Sequence, residues 1–198
     1  MKVVVATHNP GKLRELEAIL VPELELVSQA ALGIAEAEEP HETFVENALA
    51  KARHASRAAR LPALADDSGL CVPALGGEPG VHSAYYAGRE GDRDARDARN
   101  NRQLLAALGE QRAAYYCCLI VLVRRPDDPR PLIAEGLWHG EIARAPRGTG
   151  GFGYDPLFVV AGTGKTAAEL SPAEKNRISH RALAARRLLE LLHADDHR

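Results

Sequence analysis

Apolar positions along the chain change their period from block to block, and the changes predict the elements. Lys2 to Thr7 is a continuous run dominated by Val3, Val4 and Val5, the pattern of a buried strand. Asn9, Pro10 and Gly11 break it, and Leu13, Leu16, Ile19 and Leu20 then recur at helical spacing. Leu24 to Ser28 predicts a second short strand, and an acidic loop with Glu36, Glu38, Glu39 and Glu42 follows. Thr43 with Glu46 spells a capping box, so a helix is predicted from there to about Ala59. Pro62 to Ala65 predicts a short buried strand that ends in Asp66, Asp67, Ser68 and Gly69. Pro73 to Gly88 is too rich in glycine and proline for anything but a long shaped loop or hairpin. A charged helix is expected over Asp92 to Leu108. Ala113 to Arg124 and Leu132 to Ile142 predict two long antiparallel strands at the centre of the sheet, joined through Pro126 to Pro131. Arg147 to Asp155 is glycine-rich, Pro156 to Val160 predicts a short strand, and Ser171 to His193 one helix, with Pro172 in its first turn and Glu174 at a capping position. Strands alternating with helices, some with antiparallel partners, imply an α/β fold with a mixed sheet, and no repeat or linker divides the chain.

Two glycine motifs need testing before they are read as ligand sites. Gly162-Thr163-Gly164-Lys165-Thr166 resembles the end of a P-loop, but the first glycine of that motif would fall on Val159. A surface turn is the better reading. Gly148, Gly150 and Gly153 match a dinucleotide fingerprint in spelling, yet Tyr154-Asp155-Pro156 follows where a helix must start. Glycines there would let the backbone approach a ligand or another loop closely.

Composition narrows the function. The chain has 198 residues, 45% of them hydrophobic, enough for one sizeable core or two small lobes sharing a sheet. Its 25 Lys and Arg against 27 Asp and Glu give a formal net charge of -2, so no global positive field favours nucleic acid. Cys71, Cys117 and Cys118 cannot form a paired framework, which fits a reducing cytoplasm. No leader and no apolar run of membrane-spanning length are visible, so a soluble protein that is not exported is expected.

Several clusters carry candidate chemistry. Thr7, His8, Asn9, Pro10, Gly11 and Lys12 join the first strand to the first helix, where amides, helix dipole and lysine together suit a phosphate; an ordinary turn with a solvated lysine is the alternative. Adjacent Asp66 and Asp67 repel unless a cation, a proton or water relieves them, and magnesium takes one or two carboxylates plus phosphate oxygens. Asp67 with a glutamate of the acidic loop is one such set; capping of a turn closed by Ser68 and Gly69 is the other reading. Lys51 shares a helix side with Phe44, Asn47 and Ala48, so it faces either inward, toward an anion, or water. Phe152 and Tyr154 bracket Gly153 and could offer an aromatic face to a base, while Lys175, Ser179, His180 and Arg181 cluster near the last helix.

In chain order, four blocks resemble the inosine triphosphate pyrophosphatase family over essentially the full length. They are Ala6-Thr7-His8-Asn9-Pro10-Gly11-Lys12; Phe44-Val45-Glu46-Asn47-Ala48 with Lys51-Ala52; Ala65-Asp66-Asp67-Ser68-Gly69-Leu70 with Pro79-Gly80-Val81-His82-Ser83-Ala84; and Gly150-Gly151-Phe152-Gly153-Tyr154-Asp155-Pro156 with Ser179-His180-Arg181. The resemblance implies a single pyrophosphatase domain over residues 1–198, an elongated mixed sheet flanked by helices in two lobes, a cleft between the lobes, and a homodimer. It implies hydrolysis of hypoxanthine and xanthine nucleoside triphosphates to monophosphate and pyrophosphate, with Mg2+ as cofactor. By the same resemblance Thr7 to Lys12 and Lys51 would hold the triphosphate, with Ser68 as a further contact. Asp67 would be the catalytic base, with Asp66 beside it, and Asp67 with Glu38 or Glu39 would bind metal. Phe152, Gly153, Tyr154, Asp155, Lys175, His180 and Arg181 would form the base pocket. Two places depart from the family: the loop at Pro40-His41, which leaves Glu38 and Glu39 unseparated, and Tyr85, where relatives often carry arginine. A pyrimidine nucleotide pyrophosphatase and a non-catalytic nucleotide-sensing or RNA-binding module are the rival readings.

Overall fold

The computed structural model describes residues 1–21 and 23–196. Six strands form one sheet in the order β2-β1-β3-β4-β5-β6. Strand β1 (Lys2–Val5) puts three valines into the interior, and helix α1 (Pro10–Leu20) returns the chain to β2 (Glu25–Ser28), parallel to β1 in the register Lys2↔Glu25 to Val5↔Ser28. Helix α2 (Phe44–Ala59) then leads to β3 (Ala63–Cys71), also parallel to β1, with Val5 opposite Leu64. Helix α3 (Arg93–Ala107) precedes β4 (Ala113–Val123) and β5 (Leu132–Ile142), and β6 (Phe158–Val160) closes the sheet antiparallel to β5. The sheet is mixed, as expected, with β3 and β4 at its middle and β5 one place from the edge.

Capping chemistry sets the helix starts where the sequence placed them. Thr43 Oγ1 accepts the Glu46 N–H and donates to the Glu46 carboxylate. At α4 (Pro172–Ile178), the Ser171 N–H donates to Glu174 Oε2 at 2.7 Å and the Glu174 N–H to Ser171 Oγ at 3.2 Å. Reciprocal bonds of this kind satisfy amides that a helix start leaves unpaired. The single helix predicted over Ser171 to His193 is instead two, because the chain breaks at Ser179 and restarts as α5 (His180–Asp196), with Ser179 Oγ taking the Ala182 N–H.

A second correction concerns β3. It does not stop at Ala65 but runs nine residues through Asp66, Asp67, Ser68 and Gly69, so these residues close no turn. Its pairing with β1 does end at Leu64, which leaves both carboxylates beyond the end of β1. The Gly162 to Thr166 segment is a turn, with the Thr163 N–H on the Val160 carbonyl and the Val160 N–H on the Lys165 carbonyl. At Gly148 a Cβ would stand 2.6 Å from the Ala168 carbonyl carbon, so this glycine allows the close approach of two loops.

The chain divides into two compact units, and the division falls inside β3, β4 and β5. The first comprises Met1–Asp67, Cys118–Gly136 and Ser179–Arg198. Val3, Val5, Leu64, Ile120 and Leu122 pack there against Leu16, Leu20 and Leu188, while Val4, Ala63, Ala65 and Val121 pack against Ala48, Ala52 and Ala55 of α2. The second comprises Ser68–Cys117 and Leu137–Ile178, with a core built on Tyr116, Trp138 and Phe158. Their ring centroids lie 4.8 to 6.2 Å apart, within the range of favourable tilted and offset contacts. Among the described residues no helix is long and apolar enough to cross a membrane.

Candidate active site

Alternation along β3 separates the two adjacent aspartates. Neighbouring residues of a strand point to opposite faces, so Asp66 shares its face with Leu64, and Asp67 shares its face with Ala63 and Ala65, which pack on α2. Each carboxylate meets its own set of cations. Asp67 Oδ1 accepts from Lys51 Nζ at 2.9 Å, and the same ammonium donates to Glu39 Oε1 at 2.8 Å. One turn before Lys51, Asn47 Nδ2 reaches Asp67 Oδ2 at 3.4 Å, and its amide holds both the N–H and the carbonyl of His41. Lys51 is therefore inward, buried and shared by two carboxylates.

The charge balance of this cluster has a chemical consequence. Burial opposes the charge on Lys51, but Asp67, Glu39 and Asp66 together hold its ammonium well above the ordinary lysine value. Burial likewise pushes the Asp67 carboxyl up, and the charges of Lys51 and Lys12 offset only part of that rise. One cation divided among several carboxylates keeps its own proton while leaving a carboxylate under-neutralised. A divalent ion would relieve the imbalance. Glu39 and Asp67 already converge on one cationic atom, and two carboxylates are a fitting protein share for magnesium, which takes its other oxygens from phosphate and water. Among the described residues no three His, Cys, Asp or Glu groups cluster to hold a metal alone. Of the two neighbouring glutamates, both exposed, Glu39 is the one that reaches Lys51.

On the other face of β3, Asp66 is sealed from solvent. Lys12 Nζ stands 3.2 Å from Asp66 Oδ2, and Arg181 donates to the same oxygen through Nε at 3.1 Å and Nη2 at 2.9 Å. The Arg181 Nη1 reaches Glu15 on α1, one turn after Lys12. Burial works against the Asp66 charge, yet Lys12, Arg181 and Lys51 hold its carboxyl well below the ordinary carboxylate range. Two cations and two anions balance here. Asp66 and Arg181 thus engage each other, and both are buried.

The loop before α1 is pre-folded by its own side chains. Asn9 Oδ1 takes the N–H groups of Gly11 and Lys12 at 2.9 and 3.2 Å, Thr7 Oγ1 takes the Asn9 N–H at 3.1 Å, and Pro10 has no N–H to offer. With those amides occupied, what the turn still offers an anion is the Lys12 ammonium and the positive end of the α1 dipole. His8 is exposed, its Nε2 2.9 Å from the Ile34 carbonyl oxygen.

In the second unit, Asp155 organises the aromatic loop. Its Oδ2 accepts the Phe152 N–H at 2.9 Å and Lys175 Nζ at 2.6 Å, and Tyr116 Oη donates to Oδ1 at 3.4 Å. Gly151 has φ +72°, and a Cβ there would fall 2.0 Å from Asp155 Oδ2, so only glycine allows the carboxylate its position. Phe152 is half-buried, with Lys175 Nζ 4.8 Å and the Arg93 guanidinium 4.7 Å from its ring centroid. Tyr154 faces the core instead, and its hydroxyl donates to the Ser83 carbonyl at 2.9 Å. Ser68 is half-buried on β3, and His180 is buried at the start of α5. Tyr85, the departure from the family pattern, carries Arg89 at 4.1 Å and Arg96 at 5.3 Å from its ring centroid.

Residues 3–191 match the Ham1 family. The chain belongs to that family. A relative in Burkholderia pseudomallei, described as dITP/XTP pyrophosphatase, is 61% identical over 194 residues, covering 96% of this chain and 93% of the relative. One of the same description in Ralstonia nicotianae is 60% identical and covers 96% of both. A HAM1 protein of Coxiella burnetii has the same architecture, with a TM-score of 0.89, 45% identity, and coverage of 98% of this chain and 99% of that one.

Sequence reasoning missed Asn47 and Glu15 as members of the site. The signal for Asn47 was its spacing of four from Lys51; Glu15 gave none, because its partner lies 166 residues away.

Proposed function

We propose that this chain is a magnesium-dependent pyrophosphohydrolase that converts hypoxanthine and xanthine nucleoside triphosphates to monophosphate and pyrophosphate. The observation that carries the proposal is the convergence of Asp67 and Glu39 on Lys51, two carboxylates that share one buried cation. Descriptions of the Burkholderia and Ralstonia relatives as dITP/XTP pyrophosphatases support the substrate. Glu39 and Asp67 would hold the ion, which when bound supplies Lewis-acid polarisation of phosphate oxygens.

The chain's own residues do the rest. Lys12 and Lys51 bind the β- and γ-phosphates and neutralise charge on the leaving group. Asp67, its proton affinity raised by burial, orients a water and accepts its proton at a carboxylate oxygen as water oxygen bonds to the α-phosphorus. The bond from that phosphorus to the bridging oxygen breaks, and pyrophosphate leaves. Asp66, bound on both sides by cations, holds Lys12 in place and takes no proton. Phe152 offers its ring to the base, and Lys175, fixed by Asp155, offers donors that suit a 6-oxo group and would stay unpaired against the 6-amino group of adenine. Unpaired buried donors reject a wrong base by orders of magnitude. The homodimer rests on the family resemblance, and light scattering tests it; the cytoplasmic location rests on Cys71, Cys117 and Cys118, which form no paired framework, and the treatment of both units as one domain rests on chain length and the resemblance.

Asp67→Asn tests the assignment directly. With inosine triphosphate and magnesium, the variant should lose roughly a hundredfold or more in kcat, the usual share of a general base, while keeping its circular dichroism spectrum. Turnover at the wild-type rate would remove Asp67 from the reaction. Inosine triphosphate against dTTP separates this reading from a pyrimidine pyrophosphatase.

A further inference from the structure

Arg93, Asp97 and Asn101 lie four residues apart, so they form one stripe along α3. All three end on the same dipeptide. The Arg93 guanidinium covers the Phe152 ring, Asp97 Oδ2 accepts the Gly153 N–H at 2.7 Å, and Asn101 Nδ2 donates to the Gly153 carbonyl at 3.0 Å. Arg93 also stands 3.9 Å from Asp97.

Gly153 has φ +63°, a conformation in which its two polar groups turn away from regular pairing. One helix face meets both of them. From the other side of the dipeptide, Asp155 takes the Phe152 N–H. Backbone bonds therefore fix both members of the pair that carries the aromatic ring. Asn101 works through its donor alone, since its Oδ1 has no hydrogen-bond partner among the described residues.

Resting on the reading that Phe152 receives the base, we propose that this α3 stripe determines purine recognition. Asp97 and Asn101 are positioning residues that present the Phe152 ring, and Arg93 is a binding residue on its face. A guanidinium is planar and stacks on aromatic surfaces, so it can lie against a purine as it lies against Phe152. The ligand class is a 6-oxopurine nucleotide. A helix needs none of these three side chains to stay helical, and their shared target is what points beyond stability.

The experiment compares Asp97→Ala, Asn101→Ala, Arg93→Ala and the conservative Asp97→Asn in the full chain, measuring kcat and KM for inosine triphosphate and the inhibition constant of pyrophosphate. Loss of an aligned stacking platform should raise KM about tenfold in each alanine variant, with kcat within about twofold. Pyrophosphate inhibition should not move, because it reads the phosphate end alone, and Asp97→Asn, which keeps an acceptor, should recover most of the affinity. Unchanged KM in all three alanine variants, with only thermal stability lowered, would overturn the proposal. Phe152→Ala serves as the reference: if it too leaves KM unchanged, the base-pocket reading itself has failed, a result distinct from failure of the stripe alone.

Discussion

Replacing Arg181 by methionine removes the cation that closes the Asp66 cluster while keeping most of the side-chain volume. The Arg181 side chain is 1% exposed, Asp66 0% and Glu15 13%, so water cannot take over the lost interactions. Lys12 remains 3.2 Å from Asp66, but it must then balance two carboxylates alone. Breaking a buried ion pair by deleting one partner costs about 3 to 5 kcal/mol, and the surviving lysine places this variant toward the lower figure. In a domain of this length each kcal/mol lowers Tm by about 2 to 4 °C, so a fall of roughly 6 °C or more is expected in thermal melts. Arg181→Lys restores the charge without the two-pronged donation and should fall between the two. In a double-mutant cycle, adding Asp66→Asn to Arg181→Met should cost less than the sum of the single losses, with a coupling of about 0.5 to 3 kcal/mol. A loss below about 1 kcal/mol for Arg181→Met, or strict additivity, would refute the description of this cluster as a mutually dependent, buried set.

Gly151→Ala should displace the Asp155 carboxylate from the Phe152 N–H and from Lys175, raising KM for inosine triphosphate and lowering Tm; steady-state kinetics with unchanged KM would show that the loop tolerates a Cβ. Asp128 ties the β4–β5 connection by accepting the N–H groups of Arg124 and Arg130, each at 2.9 Å. Burial opposes its charge, but those two donors and the Arg124 guanidinium hold its carboxyl below the ordinary value. A depressed folded value means stability that is present above the unfolded value of about 4 and lost as pH falls through the folded one. Asp128→Asn should therefore cost about 1 to 2 kcal/mol at pH 7, and the gap to wild type in urea melts should close below about pH 4. Chelation of divalent ions should stop pyrophosphate release and magnesium should restore it, as read by a coupled phosphate assay; full activity in chelator would remove the metal from the proposal.

Local signals made much of the fold legible. The Thr43 and Glu46 pair, the Pro172 start and the period of Leu16 and Leu20 act within a turn of helix, and the structure contains the elements they predict. Lys51 was ambiguous because spacing names a helix face but not what covers it; Asp67 and Glu39 supply the answer from 16 and 12 residues away. The extent of β3 was misjudged for a related reason. Charged residues argue against a strand interior unless partners neutralise them, and those partners, Lys12, Lys51 and Arg181, come from three separate helices.

The residue order alone determined the alternation of strands and helices and the capped start of α2. Only the tertiary structure decided which carboxylate serves which cation. Strand alternation sends Asp66 and Asp67 to opposite faces, and buried charges must find partners wherever the packed chain brings them. Capping and periodicity are short-range and can be read from neighbours; charge neutralisation in a dry interior is long-range, and is fixed when α1, α2 and α5 close around β3.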